Sequence, residues 1–191
     1  MFQKQNIPLA ITGLFSSLFS DYISQSSQVK SFFNEHISLK DFSAYLEKNK
    51  FDYLNRPVLV NALNQQSSLI SNTTTLSKAN IVLLEKATTY TITTGHQLCL
   101  FTGPLYFIYK IASTINLCKV LKTNFPKKDF VPVYWMASED HDFEEINHAN
   151  VFGKKVIWNS SQKGAVGEFS TEGLQEVITE LKTILGDNEK S

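Results

Sequence analysis

Cysteine is scarce in this 191-residue chain: Cys99 and Cys118 are too few for a disulfide framework, so a reducing compartment, the cytoplasm, is expected. Surplus charge is absent too. Eighteen Lys and Arg balance 18 Asp and Glu, and the net charge is zero. Without a basic excess there is no electrostatic footprint for nucleic acid, which is not an expected partner. No apolar run approaches the roughly 20 residues that span a bilayer, so no membrane partner is expected either. The opening segment, MFQKQNIPLAITGLF, lacks a long apolar stretch and a small-residue cleavage site, and does not read as a secretory signal. What remains is ordinary globular usage, 42% hydrophobic and 19% charged, enough for a real core and against disorder.

The first part of the chain reads as helical. QVKSFFNEH (28–36) and DFSAYLEKN (41–49) carry apolar residues at helical spacing, with Asp41 placed as an N-cap and His36 as a surface residue. Pro57 opens a helix from Val58 to about Ile70. Leu76, Ala79, Leu83 and Ala87 recur at steps of three and four and predict another over 75–87.

The pattern then changes. TTYTITT (88–94) is β-branched and alternating, a strand signal. Thr102-Gly103-Pro104 reads as a helix start, with the proline in the first turn. Leu105, Ile108, Ile111, Ala112, Ile115, Cys118 and Leu121 form an apolar stripe after it. FVPVYWMA (130–137) is a continuous apolar run, as expected of a strand covered on both faces. Strand, helix and strand in about fifty residues make a βαβ unit. ANVFGKKVIWN predicts a hairpin turning at Gly153, and 171–185 a final amphipathic helix.

In open parallel sheets, ligands bind outside the carboxyl ends of the strands. Two unusual segments fall there. The first, Gly95 to Pro104, is read as a loop; it is neither GxGxxG nor Walker A. Its glycines permit close approaches, and main-chain N–H groups near Gly103 and Leu105 suit a phosphate or carboxylate. His96, Gln97 and, two turns on, Lys110 could add polar contacts. The plain alternative is a tight turn with incidental polar residues. The second segment, Ser138-Glu139-Asp140-His141-Asp142, packs three carboxylates around a histidine. Such charges raise each other's proton affinity unless a cation or donor offsets them. General acid/base work or recognition of an amine and hydroxyls suits Asp140, His141 and Asp142; an acidic helix N-terminus is the bland reading. A metal site would draw on Asp140, His141, Asp142 and His148, but the histidines stand seven apart, outside an HExxH arrangement, and no metal is expected. Cys99, Cys118, Tyr134 and Trp135 read as core, although Trp135 could stack on a ligand.

The segments TTGHQLCLFTGPLYFIYKI (93–111) and FVPVYWMASEDHDFEEINH (130–148) resemble the two signature stretches of the bacillithiol biosynthesis cysteine-adding enzymes, cysteine ligases of bacteria. The family pattern runs TGxQ, then LxTGPLYxIxKI, then VPVxWxAxEDHDxxEIN. Thr94 to Gln97, Leu100 to Pro104, Tyr106, Lys110, Trp135 and Glu139 to Asn147 fit it. FGKK and GAVGEF also resemble the family's continuation, and the likeness is close over residues 88–170.

The resemblance implies an α/β fold. A helical N-terminal region (1–87) would precede the first part of a Rossmann-like parallel sheet, incomplete here, with the start of a connecting insertion of hairpin and helix (88–191). It implies an enzyme joining cysteine to glucosaminyl malate by an amide bond. Such a bond needs an activated cysteine carboxylate, which makes ATP or ADP the candidate cofactor. The implied binding residues are Gly95, His96, Gln97, Thr102, Gly103, Pro104, Tyr106, Lys110, Trp135, Glu139, Glu145 and Asn147, beside catalytic candidates Asp140, His141 and Asp142. Other members carry Gln where His96 stands, so His96 is not expected to be catalytic. Members are also more than twice as long and dimerise through a C-terminal coiled coil. The chain is therefore expected to be an N-terminal fragment, inactive alone. A metal-dependent hydrolase and a non-catalytic nucleotide- or sugar-binding module are the alternatives.

Overall fold

The computed structural model describes residues 5–33, 38–48 and 55–186. The chain divides into two compact units, residues 1–54 and 55–191.

The first unit holds helices α1 (Ser17–Ile23) and α2 (Leu39–Lys48). Ser16 caps α1 by accepting from the Phe19 N–H. In α2 the capping role falls to Ser38, whose Oγ accepts from the Asp41 N–H at 3.1 Å. Asp41 therefore lies within the first turn rather than at the cap, and its carboxylate in turn accepts from the Ser38 hydroxyl. Of the helix expected over 28–36, the described residues 28–33 hold one 3₁₀ turn, Lys30–Phe32, and the rest lies outside the described residues. His36 lies outside the described residues.

The second unit opens with α3 (Arg56–Ser68) and α4 (Thr75–Leu83). Asn55 caps α3 with Pro57 in its first turn, and Thr74 caps α4. Next come β1 (Thr89–Gln97), α5 (Leu105–Asn124) and β2 (Asp129–Ala137). The strands pair in parallel, with Thr89 opposite Asp129 and Gln97 opposite Ala137. This is the expected βαβ unit and the beginning of a Rossmann-like α/β fold.

Strand alternation sorts the residues between two layers. On one face Tyr90 stacks with Phe130, and Phe107 of α5 and Phe125 at its C-cap meet Tyr134 and Phe130. On the other, Val131 and Val133 pack with Val60, Leu63, Ile81 and Leu84 of the α3–α4 pair. Helices thus cover both faces of the first half of β2. Its second half is not covered: Tyr134, Trp135 and Met136 are all exposed, against the expectation of burial on both faces.

The predicted stripe on α5 is also corrected. The inward side is Phe107, Ile111, Thr114, Cys118 and Leu121, whereas Leu105, Ile108 and Ile115 are exposed. The helix is apolar over more of its circumference than a two-stranded sheet can cover, so periodicity alone does not choose the buried side.

Beyond β2, one helical turn, α6 (Phe143–Ile146), leads into the hairpin β3 (His148–Val151) and β4 (Lys154–Ile157). The strands are antiparallel, and Phe152 and Gly153 both have positive φ, as a type I′ turn requires. The last helix, α7 (Leu174–Leu185), closes a small core of Val156, Trp158 and Val177, joined by Leu100, Phe143 and Phe169. No helix among the described residues is long and apolar enough to cross a membrane.

Candidate functional site

Gly95, His96 and Gln97 are not loop residues. They complete β1, paired with Trp135, Met136 and Ala137. A Cβ on Gly95 would stand 2.8 Å from the Trp135 carbonyl oxygen, so the strands close here only because the residue is glycine. Extended backbone turns neighbouring side chains to opposite faces, and His96 and Gln97 diverge.

His96 turns to α5 and is 9% exposed. Its Nδ1 lies 3.1 Å from the Gln97 carbonyl oxygen, an acceptor, so Nδ1 carries the proton. Nε2 is then free to accept from the Tyr106 hydroxyl at 2.9 Å. Phe107 meets the ring edge-on, and the Tyr134 hydroxyl donates to the His96 carbonyl at 3.4 Å. His96 is thus a satisfied packing residue that ties β1 to the first turn of α5. Lys110 lies over the Tyr106 ring, 5.5 Å from its centroid.

Gln97 turns the other way. Its amide nitrogen donates to Glu145 Oε2 at 3.0 Å, joining the end of β1 to α6. The same amide also favours the ionised form of the Asp140 carboxyl beside it. The backbone N–H of Asp142 donates to Asp140 Oδ1 at 2.8 Å. That bond first, and Gln97 second, hold the Asp140 carboxyl below its ordinary range. Crowding of like charge therefore does not set its proton affinity, because donors offset it. His141 and Asp142 are exposed beside it.

The loop between β1 and α5 is bent sharply. Phe101 and Thr102 both have positive φ, and Gly103 (φ 65°, ψ −150°) lies in a region essentially reserved for glycine. A Cβ there would meet Cys99 Cβ at 2.6 Å. Pro104 is the N-cap of α5 rather than a first-turn residue. Phe107 N–H bonds back to the Pro104 carbonyl, while the preceding amides of Leu105 and Tyr106 are the helix's open donors.

Cys99, which composition assigns to the core, is half-buried with Sγ 3.5 Å from His96 Nδ1. Burial first, then the charges of Glu145 and Asp140, push its thiol up. It is held as a neutral thiol and not as a nucleophile.

Gln97, Asp140, Glu145 and Cys99 thus converge at the carboxyl ends of β1 and β2. Trp135 and Glu139 pair with each other, Nε1 to Oε1 at 3.3 Å, and Trp135 is exposed rather than core. Asn147 turns to the hairpin, where its carbonyl accepts from Trp158 N–H at 2.7 Å. His148 Nδ1 bonds Asn147 Oδ1, and no three His, Cys, Asp or Glu among the described residues are grouped to hold a metal ion.

Sequence reasoning missed Gly167. Its N–H donates to the Ser138 carbonyl, and Val166 N–H to the Asp140 carbonyl, both at 2.8 Å. A Cβ on Gly167 would stand 2.5 Å from Ser138 Cβ. The segment GAVGEF, notable in the sequence only as a family-like stretch, is what braces the acidic loop.

The model of the bacillithiol biosynthesis BshC N-terminal Rossmann-like domain matches residues 2–191. The chain belongs to this family. Three relatives, each described as "Putative cysteine ligase BshC", agree with the assignment. That of Flavobacterium psychrophilum is 51% identical over 178 residues, 92% of this chain and 33% of the relative. That of Flavobacterium johnsoniae is 50% identical over 93% of this chain and 34% of the relative. That of Christiangramia forsetii is 45% identical over 94% of this chain and 34% of the relative. The chain spans about a third of the length of these BshC relatives.

Proposed function

We propose that this BshC-family chain supplies the first wall of an active site that joins cysteine to glucosaminyl malate through an amide bond, in bacillithiol biosynthesis. The observation that carries the reading is the Gln97–Glu145 hydrogen bond with Asp140 beside it, where both parallel strands end.

Amide formation needs two kinds of group, and the start of α5 and the acidic loop offer one each. The amides of Leu105 and Tyr106 are open donors at the start of a 20-residue helix, with Lys110 two turns on. They suit the cysteine carboxylate, or a phosphate of ATP, which would supply the activation that carboxylate requires. Asp140 and Glu145 are acceptors for the attacking amine and for sugar hydroxyls. With its carboxyl held below the ordinary range, Asp140 is a weak base, so its role is to receive and orient the amine. The exposed imidazole of His141, next to Asp140 in the acidic loop, is the group we assign to take the amine proton. Asp142 supports the loop through its N–H to Asp140. Thr102, Gly103 and Pro104 set the approach of the loop, Trp135 and Glu139 form the rim, and Asn147 stands behind it, holding the hairpin. Small molecules are the partners on this reading. Pairing of two copies would rest on sequence beyond this third of the family's length.

The test is a chimera of this chain with the remaining two-thirds of the Flavobacterium psychrophilum relative, assayed for bacillithiol from cysteine, glucosaminyl malate and ATP. Product is expected from the chimera and not from the 191-residue chain alone. Asp140→Asn and His141→Asn should each lower turnover about 100-fold or more, the usual scale of proton-transfer and positioning losses. Full turnover in both variants would sink the assignment.

A further inference from the structure

The acidic loop is supported from two directions. Its own turns reach back only to the end of β2: Ser138 N–H bonds to the Met136 carbonyl at 2.8 Å, and Asp140 N–H to the Ala137 carbonyl at 3.4 Å. The carbonyls of Ser138 and Asp140 face the other way, to the amides of Gly167 and Val166.

Gly167 belongs to a single 3₁₀ turn, Val166–Glu168, and its φ is negative, a conformation open to any residue. The approach, not the backbone, demands glycine. A Cβ would stand 2.5 Å from Ser138 Cβ, 2.8 Å from the Ser138 carbonyl oxygen and 3.1 Å from its Cα. Main-chain atoms cannot swing aside as the end of a long side chain can, so an added methyl would push off the loop itself.

The segment that carries this turn is closed at its base by one side chain. The Gln162 amide pairs with Ser170 in both directions: Oε1 accepts from the Ser170 N–H at 2.7 Å, and Nε2 donates to the Ser170 carbonyl at 3.0 Å. Nε2 also donates to Ser160 Oγ at 3.0 Å. Gln162 thus imitates a peptide group in a strand ladder, with donor and acceptor both used. Beside this closure Phe169 packs on Phe143 and Trp158, with ring centroids 5.3 and 6.4 Å apart. Among the described residues, none of Gln162's hydrogen bonds goes to the acidic loop. Whatever it does there, it does through residues 166 and 167.

We propose that Gln162 and Gly167 are positioning residues of the site. Gln162 closes the segment 162–170, and Val166 and Gly167 pass that closure to the Ser138–Asp140 backbone. Asp140 and His141 are thereby held in the direction that the attacking amine needs. The inference deepens the ligase reading and rests on it for the reaction served; the brace is argued from the bonds themselves.

Substitutions in the chimera test it with two readouts. Hydrogen exchange followed by mass spectrometry reads the brace without any reaction: Gln162→Ala should speed exchange over 138–142 and 164–169 and leave β1 and α5 unchanged. Steady-state kinetics read the consequence, at a temperature where circular dichroism shows each variant folded. Gly167→Ala should lower kcat about 100-fold, the scale of a displacement near 1 Å at reacting groups. It should also raise KM for glucosaminyl malate, whose amine Asp140 receives, by about tenfold, the worth of one charge-assisted hydrogen bond. KM for cysteine, whose carboxylate is assigned to the start of α5, should not change. Gln162→Ala should show the same split, with kcat down about tenfold. Ser138→Gly added to Gly167→Ala removes the nearest clashing atom and should restore part of the loss. A purely structural role would not raise KM for one substrate alone. Unchanged exchange in Gln162→Ala, or unchanged KM for glucosaminyl malate in Gly167→Ala, overturns the proposal. A chimera with native residues that makes no bacillithiol sinks the ligase reading instead, and hydrogen exchange still decides the brace.

Discussion

His96 and Gln97 are neighbours in the chain, yet one is sealed against α5 and the other reaches α6. Gly103 shows the same local determinism. Its backbone lies where only glycine is comfortable, and a methyl group would overlap Cys99. Gly103→Ala is expected to cost about 1–3 kcal/mol. Gly153→Ala, at φ 78° with open space around it, should cost only about 1 kcal/mol. Urea melts followed by fluorescence at low protein concentration would rank the two, and equal losses would contradict the packing argument. Cys99 provides a second residue-scale check. Burial and the charges of Glu145 and Asp140 hold its thiol protonated, so alkylation by iodoacetamide at mildly alkaline pH should be slow for a partly accessible cysteine. Glu145→Gln removes a negative charge, lowers the thiol's proton affinity and should speed the reaction, by about tenfold at most in this partly solvated site.

At the scale of elements, the joint between α5 and β2 depends on one lysine. Lys122 Nζ donates to the carbonyls of Pro126 and Lys128, at 3.1 and 2.9 Å, and to Asp129 Oδ1 at 2.8 Å. It ends the helix and starts the strand at once. Since Lys122 is about half exposed, Lys122→Met should cost no more than about 1 kcal/mol. The hydrogen bond from Lys122 is the leading reason that the Asp129 carboxyl is held down, with Lys86 adding to it. A carboxyl whose folded value is depressed contributes stability above its unfolded value, about 3.9, and loses it as pH falls through the folded one. Stability should therefore decline below about pH 4, and Asp129→Asn should flatten that decline while lowering stability at neutral pH. Chemical melts between pH 2 and pH 7, the range those values define, would check it. An unchanged slope in the variant would remove Asp129 from the account.

The whole molecule is governed by a sheet of two parallel strands whose outer edges are unpaired among the described residues. Leu105, Ile108, Tyr109, Ile115, Leu117 and Val120 lie exposed along α5, and Tyr134, Trp135 and Met136 at the end of β2. Unpaired parallel edges beside apolar surface invite self-association. The 191-residue chain by itself is expected to form oligomers or aggregates, with the chimera less prone to do so. Light scattering on a sizing column checks this, and a monodisperse, cooperatively melting monomer would contradict it.

Local signals were enough for much of this. The βαβ order, the hairpin turn at Phe152 and Gly153, and the last helix are legible because each follows from short-range sterics: β-branched alternation, positive φ at a tight turn, and a clean 3.6-residue period. The acidic loop and the Gly95–Pro104 stretch stood out in the sequence as segments of the candidate site because unusual residue types stand at strand ends. Three matters needed the tertiary structure. Whether Gly95 to Gln97 are loop or strand was decided by pairing with Trp135 to Ala137, a contact some forty residues away in the chain. Which side of α5 is buried was decided by where the sheet lies, since the helix is apolar over much of its surface. That Asp140 is a weak base was decided by the Asp142 N–H and the Gln97 amide, donors that a count of carboxylates cannot include. Sequence fixes conformations within a few residues; which partners meet, and hence which charges are offset, is set only when distant segments are brought together.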